Sequence, residues 1–275
     1  MAHERLTPRQ WASEQLERLD DLSISKIVPS ALTLFGLCSG VTSIVFVLIQ
    51  DWKGAVTAIF CAMIFDMLDG RAARWLGADS RFGIQLDSLA DLVSFGVAPA
   101  VVVYTWSLSQ MGAAGWIAAL IFCVCSAIRL ARFNVETARD EGATRSRPYF
   151  VGLPTPAAAG IMLLPLLLSF EFTNASVRNP LFCVALIAIT SVLMLSRVPT
   201  PSLKFIRFNR DGLIATVIVV GMLALLAIYV PWATLVVGLL IYLATIPFVI
   251  HRSHFAGDVM QSPIPAPISP EEGHD

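Results

Sequence analysis

Residues 59–74 read Ile59-Phe60-Cys61-Ala62-Met63-Ile64-Phe65-Asp66-Met67-Leu68-Asp69-Gly70-Arg71-Ala72-Ala73-Arg74. An apolar run suited to a membrane interior ends in two carboxylates, a glycine and two arginines. A second stretch repeats the anomaly: Leu86-Asp87-Ser88-Leu89-Ala90-Asp91-Leu92-Val93 places two more acids at the opening of another apolar run. A carboxylate in a membrane-spanning helix costs about 2.5–3.5 kcal/mol even on lenient insertion scales. Four of them close together also repel one another, so something must neutralise them.

The spacing suggests what does so. Asp66 and Asp69 are three residues apart and share a helix face, with Gly70 and Ala73 on the same stripe. Asp87 and Asp91 are four apart and share another face, with Gly83 one turn earlier. The loop between the two runs is short, so the helices are expected to be antiparallel neighbours whose acidic faces converge. Four hard oxygen donors suit Mg²⁺ or Mn²⁺ better than zinc, which favours His and Cys. Two divalent ions would balance the four charges, and paired metals serve phosphoryl displacement. The small residues leave room for a ligand against the backbone. Arg74 can grip phosphate oxygens in a bidentate way. Two other readings remain open: helix-pairing acids neutralised by Arg71, Arg74 and Arg81, and an ion pathway.

Composition sets the same scene outward from these runs. The 275 residues are 56% hydrophobic and 14% charged, with net charge −1, and mean hydropathy is +0.72. Soluble domains carry about 25% charged residues. A disordered chain or a nucleic-acid-binding protein is excluded. The five cysteines all lie in apolar runs and suggest neither zinc spacing nor a disulfide framework.

The expected fold is all-α, a polytopic membrane helical bundle. Eight spans of about 20 residues are expected, over 27–49, 53–75, 84–107, 112–133, 152–170, 178–196, 213–230 and 232–250. Of the 19 Lys and Arg, all but Lys53 and Arg178 fall on one side of that arrangement. Such asymmetry marks the cytoplasmic side, so both termini and the acidic site are expected there, in an integral protein of the cell's inner or plasma membrane. Residues 1–26 form an N-terminal segment. Within it, 7–22 read as an amphipathic interfacial helix capped by Thr7, with Trp11, Leu16, Leu19 and Leu22 near one face. The catalytic membrane domain spans 27–250. Residues 251–275, with Pro263, Pro265, Pro267 and Pro270, read as a disordered cytoplasmic tail.

The acidic segment resembles the signature of the CDP-alcohol phosphatidyltransferase family, D-x2-D-G-x2-A-R-x8-G-x3-D-x3-D. Every fixed position matches: Asp66, Asp69, Gly70, Ala73, Arg74, Gly83, Asp87 and Asp91. The resemblance implies attack of an alcohol hydroxyl on the β-phosphate of a CDP-linked lipid, with CMP leaving. It further implies two divalent cations, Mn²⁺ or Mg²⁺. Asp66 and Asp87 would bridge the two, Asp69 would complete one and Asp91 the other. Asp91 would also be the catalytic general base. Gly70, Ala73, Arg74, Ser80 and Gly83 would line the CDP site, and Thr33 is added from the first span. Relatives often carry Asn after the proline there, where this chain has Ser30, so the Thr33 assignment rests on less. A homodimer in the lipid bilayer is a further implication.

The acceptor alcohol is read from looser matches. Ile128-Arg129-Leu130-Ala131-Arg132-Phe133-Asn134, the Gly152-Leu153-Pro154-Thr155-Pro156 break and the Leu193–Lys204 stretch are similar to the bacterial, phosphatidylserine-forming branch of that family. CDP-diacylglycerol and L-serine are then the expected substrates. The serine carboxylate needs a cation, and Arg129, Arg132 and Lys204 are the candidates. Glycerol 3-phosphate or inositol phosphate would also call for arginines. An intramembrane prenyltransferase is more distant, because the later spans carry no second aspartate motif. A metal-binding membrane transporter would leave the fixed small residues unexplained.

Overall fold

Two helices frame the molecule, and both are bounded by local signals in the sequence. In the computed structural model, which describes residues 24–77, 80–140, 150–172, 175–196, 199–200, 221–222, 225–226 and 228–257, α1 spans Ile24–Leu48 and α2 spans Trp52–Leu76. Asp51 caps α2 by accepting a hydrogen bond from the Gly54 N–H at 2.9 Å. Gly77 ends it in the left-handed conformation, φ 58°, and its N–H donates to the Ala73 carbonyl. The α1–α2 pairing is the most extensive between helices among the described residues. Small residues allow it: Ser39 donates to the Ala58 carbonyl at 3.0 Å, and Gly36 faces Phe65 and the Ala62 carbonyl.

The next span is one rod with an interruption. α3 runs Arg81–Asp91, a π-helical turn follows over Leu92–Val97, and α4 completes it over Ala98–Trp106. Widened turns of this kind recur at functional sites, and this one starts directly after Asp91. It is held on two sides. Ser94 donates to the Gly36 carbonyl of α1 at 3.3 Å. Gly40 admits Ser94 so closely that a Cβ there would lie 2.7 Å from the Ser94 Cα. On the other side, a Cβ at Gly96 would lie 3.1 Å from the Cβ of Ser126.

Among the described residues four more helices follow: α5 Ala113–Asp140, α6 Thr155–Glu171, α7 Pro180–Leu195 and α8 Pro231–Gly257. α6 is central, with every residue from Ala158 to Leu167 buried. α8 packs on it through Leu239 against Gly160 and an edge-on Phe170–Trp232 pair at 4.8 Å. Two short strands, β1 Phe150–Val151 and β2 Pro199–Thr200, pair antiparallel and tie the entry of α6 to the exit of α7. Gly152 turns that entry with φ 82°. A Cβ there would sit 2.9 Å from the carbonyls of Met194 and Ser196, so both conformation and space require glycine.

Ile27–Leu48, Phe82–Trp106 and Ala113–Glu136 are long and apolar enough to cross a membrane; α6, α7 and Pro231–Thr245 are shorter apolar stretches. α2 has the length, but Lys53, Asp66, Asp69, Arg71 and Arg74 interrupt its apolar character. Apolar side chains face outward along several helices, among them Val45, Leu48, Ile121 and Val192, as expected of helices solvated by lipid. The chain is an α-helical integral membrane protein. The expected span 213–230 falls largely outside the described residues, and the expected 7–22 helix lies wholly outside them. α8 continues to Gly257, past the expected start of the tail at residue 251.

The two basic residues on the sparsely charged side are both engaged there. Arg178 donates to the Trp106 carbonyl at 3.0 Å and stacks over that indole at 5.7 Å. Lys53 lies 5.9 Å from the centre of the Phe170 ring.

Replacing Gly40 with alanine is expected to destabilise the protein by about 1–3 kcal/mol through overpacking against Ser94. Gly238, whose Cβ would meet nothing within 4 Å, is the control. A thermal-unfolding midpoint that drops in detergent for Gly40→Ala but not for Gly238→Ala is the expected result.

Candidate active site

The site grows from the ends of two helices that leave and enter the same loop. α2 delivers Asp66, Asp69, Gly70, Ala73 and Arg74 in its last three turns. α3 delivers Gly83, Asp87 and Asp91. Ser80 starts α3 in register by accepting the Gly83 N–H at 2.9 Å. Ser80, read from the sequence as a nucleotide contact, is therefore first of all a helix cap.

Asp66, Asp69 and Asp87 each present a carboxylate oxygen within 4.8 Å of the other two. Asp91 joins them in lining a narrow pocket, together with Thr33, Gly36, Ala62, Ala90, Ser94 and Phe95. The helical-face reading of the four aspartates thus gives one cluster. Its donor set is hard oxygen throughout. Oxygens bound to one ion at about 2.1 Å lie no more than about 4.2 Å apart, so carboxylates already within 4.8 Å of one another have only a small closure to make. The residues present fit a divalent cation site.

Asp69 is the least solvent-exposed of the four, at 4%. Its Oδ2 lies 2.6 Å from the Thr33 hydroxyl, which also lies 3.1 Å from the Pro29 carbonyl. A hydroxyl has one proton to give. The shorter contact to a carboxylate takes it, so Thr33 orients Asp69 from α1. That is an outer-sphere support of the kind that steers metal ligands. Further along, Ser88 donates to Asn134 Oδ1 of α5 at 3.0 Å, fixing α3 beside Asp87.

Next to the cluster lies a cavity of about 210 Å³, lined by residues that include Thr33, Asp69, Gly70, Ala73, Arg74, Ser80, Gly83 and Asp87. All six residues read as CDP contacts are in that lining. The space is real at Gly70: a Cβ there would meet only the Arg74 guanidinium, at 3.6 Å. Pro29, Ser30 and Ile84 also line it; none of the three stands at a fixed position of the motif.

The arginines expected to meet the acceptor separate. Arg129 turns inward: it donates to the Thr155 hydroxyl of α6, and its charge interacts with Asp91 and Asp66. Arg132, one turn later, turns away. It pairs with Glu136 at 3.1 Å and donates to the Leu195 carbonyl at 3.3 Å, tying α5 to the end of α7. The three-residue spacing shows a shared helix face but not where two long side chains end. Lys204 lies outside the described residues.

The comparisons with known proteins agree with this geometry. Residues 26–200 match the family model described as CDP-alcohol phosphatidyltransferase. Over 230 residues the chain is 38% identical to a CDP-diacylglycerol–serine O-phosphatidyltransferase of Mycobacterium leprae (strain TN), covering 84% of this chain and 76% of that one. Proteins of the same name are 34% identical over 184 residues in Helicobacter pylori (strain ATCC 700392 / 26695), covering 66% of this chain and 75% of that one, and 35% identical over 177 residues in Bacillus subtilis (strain 168), covering 64% and 91%.

Replacing Asp87 with asparagine is expected to weaken Mn²⁺ binding by about tenfold or more, read by titration of the purified protein in detergent. Removing one carboxylate from a clustered donor set takes away both a ligand and a charge. Asp51→Asn, at the opposite end of α2, is expected to leave Mn²⁺ affinity unchanged.

Proposed function

The chain belongs to the CDP-alcohol phosphatidyltransferase family, and on that premise we propose that it transfers the phosphatidyl group of CDP-diacylglycerol to the hydroxyl of L-serine, giving phosphatidylserine and CMP. The observation that carries the proposal is the adjacency of two features. The four aspartates share one pocket, and the cavity beside it joins Arg74 and three small residues to Asp69 and Asp87. An acidic pocket alone would suit many metal proteins. Its junction with a basic-edged cavity suits a diphosphate, whose bridging oxygen lies between a nucleotide and a lipid.

Asp66, Asp69, Asp87 and Asp91 would hold two divalent cations, Mg²⁺ or Mn²⁺. Bound there, the ions supply charge neutralisation for the diphosphate and the leaving phosphate. The chain's own groups do the rest. Gly70, Ala73 and Gly83 let the nucleotide approach the helix backbones. Arg74 pairs with phosphate oxygens, and Thr33 keeps Asp69 oriented. Asp91 accepts the proton of the serine hydroxyl as that oxygen bonds to the lipid-side phosphorus and the bond to CMP breaks. A hydroxyl is a weak nucleophile at neutral pH without such a base. Arg129 is the acceptor-side cation, and its interaction with Asp91 supports that role. Both termini and the site are assigned to the cytoplasmic side of an eight-span protein, functioning as a homodimer. The lipid then enters sideways from the bilayer and serine from the cytoplasm.

The test is CMP release by the purified protein in detergent with CDP-diacylglycerol and Mn²⁺, offering serine, glycerol 3-phosphate or inositol separately. Serine-dependent release with phosphatidylserine as product is expected. Release with another alcohol would keep the site and overturn the acceptor. No release from folded, Mn²⁺-binding protein would favour a metal-binding membrane protein. In the active protein, Asp91→Asn is expected to lower turnover by about 100-fold or more, in line with the loss of a general base.

A further inference from the structure

Among the buried side-chain polar atoms left without a hydrogen-bond partner among the described residues are Arg129 Nε and the Tyr242 hydroxyl. Buried polar atoms in packed interiors are nearly always paired, so two open ones invite a common explanation. They are brought together by packing: α8 runs antiparallel along α6, with Trp232 at Phe170 and Leu239 at Gly160, so Tyr242 comes level with Thr155, which bonds Arg129. They also come from different parts of the chain: Arg129 from α5, Tyr242 from α8. Thr155, at the start of α6, holds the guanidinium from a third side. One turn before Tyr242, Leu239 docks α8 on α6 in the notch at Gly160, where a Cβ would lie 2.7 Å from Leu239 Cδ2.

Chemistry narrows what the pair is for. A guanidinium nitrogen can only donate, and a phenol has a proton to give. Both therefore lack an acceptor, and a carboxylate can accept from both at once. The same guanidinium interacts with Asp91 and Asp66, so an anionic group held there lies beside the aspartate cluster. The sequence marks Arg129 but not Tyr242. Tyr242 sits in an apolar helix with no motif around it, outside the residues 26–200 that match the family model.

We propose that Tyr242 is an acceptor-specificity residue: with Arg129 Nε, its hydroxyl forms a two-donor seat for the carboxylate of the amino-acid acceptor. The proposal rests on serine being that acceptor. α8 then completes a substrate site whose reacting end is built from α2 and α3. The second donor also gives the site a means of telling serine from amino alcohols that lack the carboxylate.

The experiment compares the full-length protein with Tyr242→Phe in detergent, using CDP-diacylglycerol, Mn²⁺ and either serine or serinol, which replaces the carboxylate with a hydroxymethyl group. Loss of one hydrogen bond to a charged group is expected to raise the KM for serine about tenfold or more. The KM for CDP-diacylglycerol and kcat at saturating serine should move far less. Preference for serine over serinol should shrink by the same factor as the serine KM rises. A structural role would instead weaken both acceptors equally, or disturb the CDP-diacylglycerol KM as well, and either result overturns the proposal. An unchanged serine KM overturns it too. A second readout is inhibition of the wild-type protein by serinamide, which keeps the shape but not the charge. Inhibition at concentrations close to the serine KM would argue against a carboxylate seat and overturn the proposal without any variant. If the wild-type protein uses another alcohol and not serine, the acceptor reading itself falls, a result distinct from every outcome above.

Discussion

α2 and α3 leave and re-enter one loop with two carboxylates apiece, and at this spacing like charges in an apolar bundle push the helices apart. The surrounding contacts act as restraints on that repulsion. Thr33 reaches across from α1 to hold Asp69. Ser88 is held by Asn134 of α5. Ser94, just beyond Asp91, is pinned against Gly36 and Gly40. Each contact comes from a helix other than the one it restrains. The acids are therefore fixed by the bundle as a whole, ready for the cations that balance them.

The π turn after Asp91 shows how tightly this is arranged. A regular helix would carry the face of Asp87 and Asp91 on through the span. The wide turn over Leu92–Val97 shifts the helical phase beyond Asp91. Within that turn Ser94 meets α1 while still lining the pocket beside Asp91, and Gly96 meets α5. The glycines at 40 and 96 are the space that allows it.

Part of this architecture is legible in the sequence and part is not, for physical reasons. The aspartates are legible because helical spacing alone fixes which of them share a face. The lining by Ser80 and Thr33 follows only from the family resemblance, whereas that by Gly70, Ala73, Arg74 and Gly83 is legible because the motif's small and basic residues sit on the same stripes. The Thr33–Asp69 bond is not, since it joins residues 36 positions apart. Arg129 and Arg132 look equivalent because helix spacing places Cα atoms, while a long flexible side chain takes its end from its neighbours. Tyr242 carries no local signal at all. The count of spans suffers from the site itself: the charges that do the chemistry make α2 the least membrane-like of the long helices.

The cavity opens at one end of the bundle, between the last turns of α2 and the first of α3. A lipid whose headgroup is exchanged there keeps its tails in the leaflet they already occupied. One lipid enters the reaction and one leaves it, so the leaflet changes in surface chemistry while its number of lipids stays the same. Delivery of the product to the opposite monolayer then requires a separate translocation step.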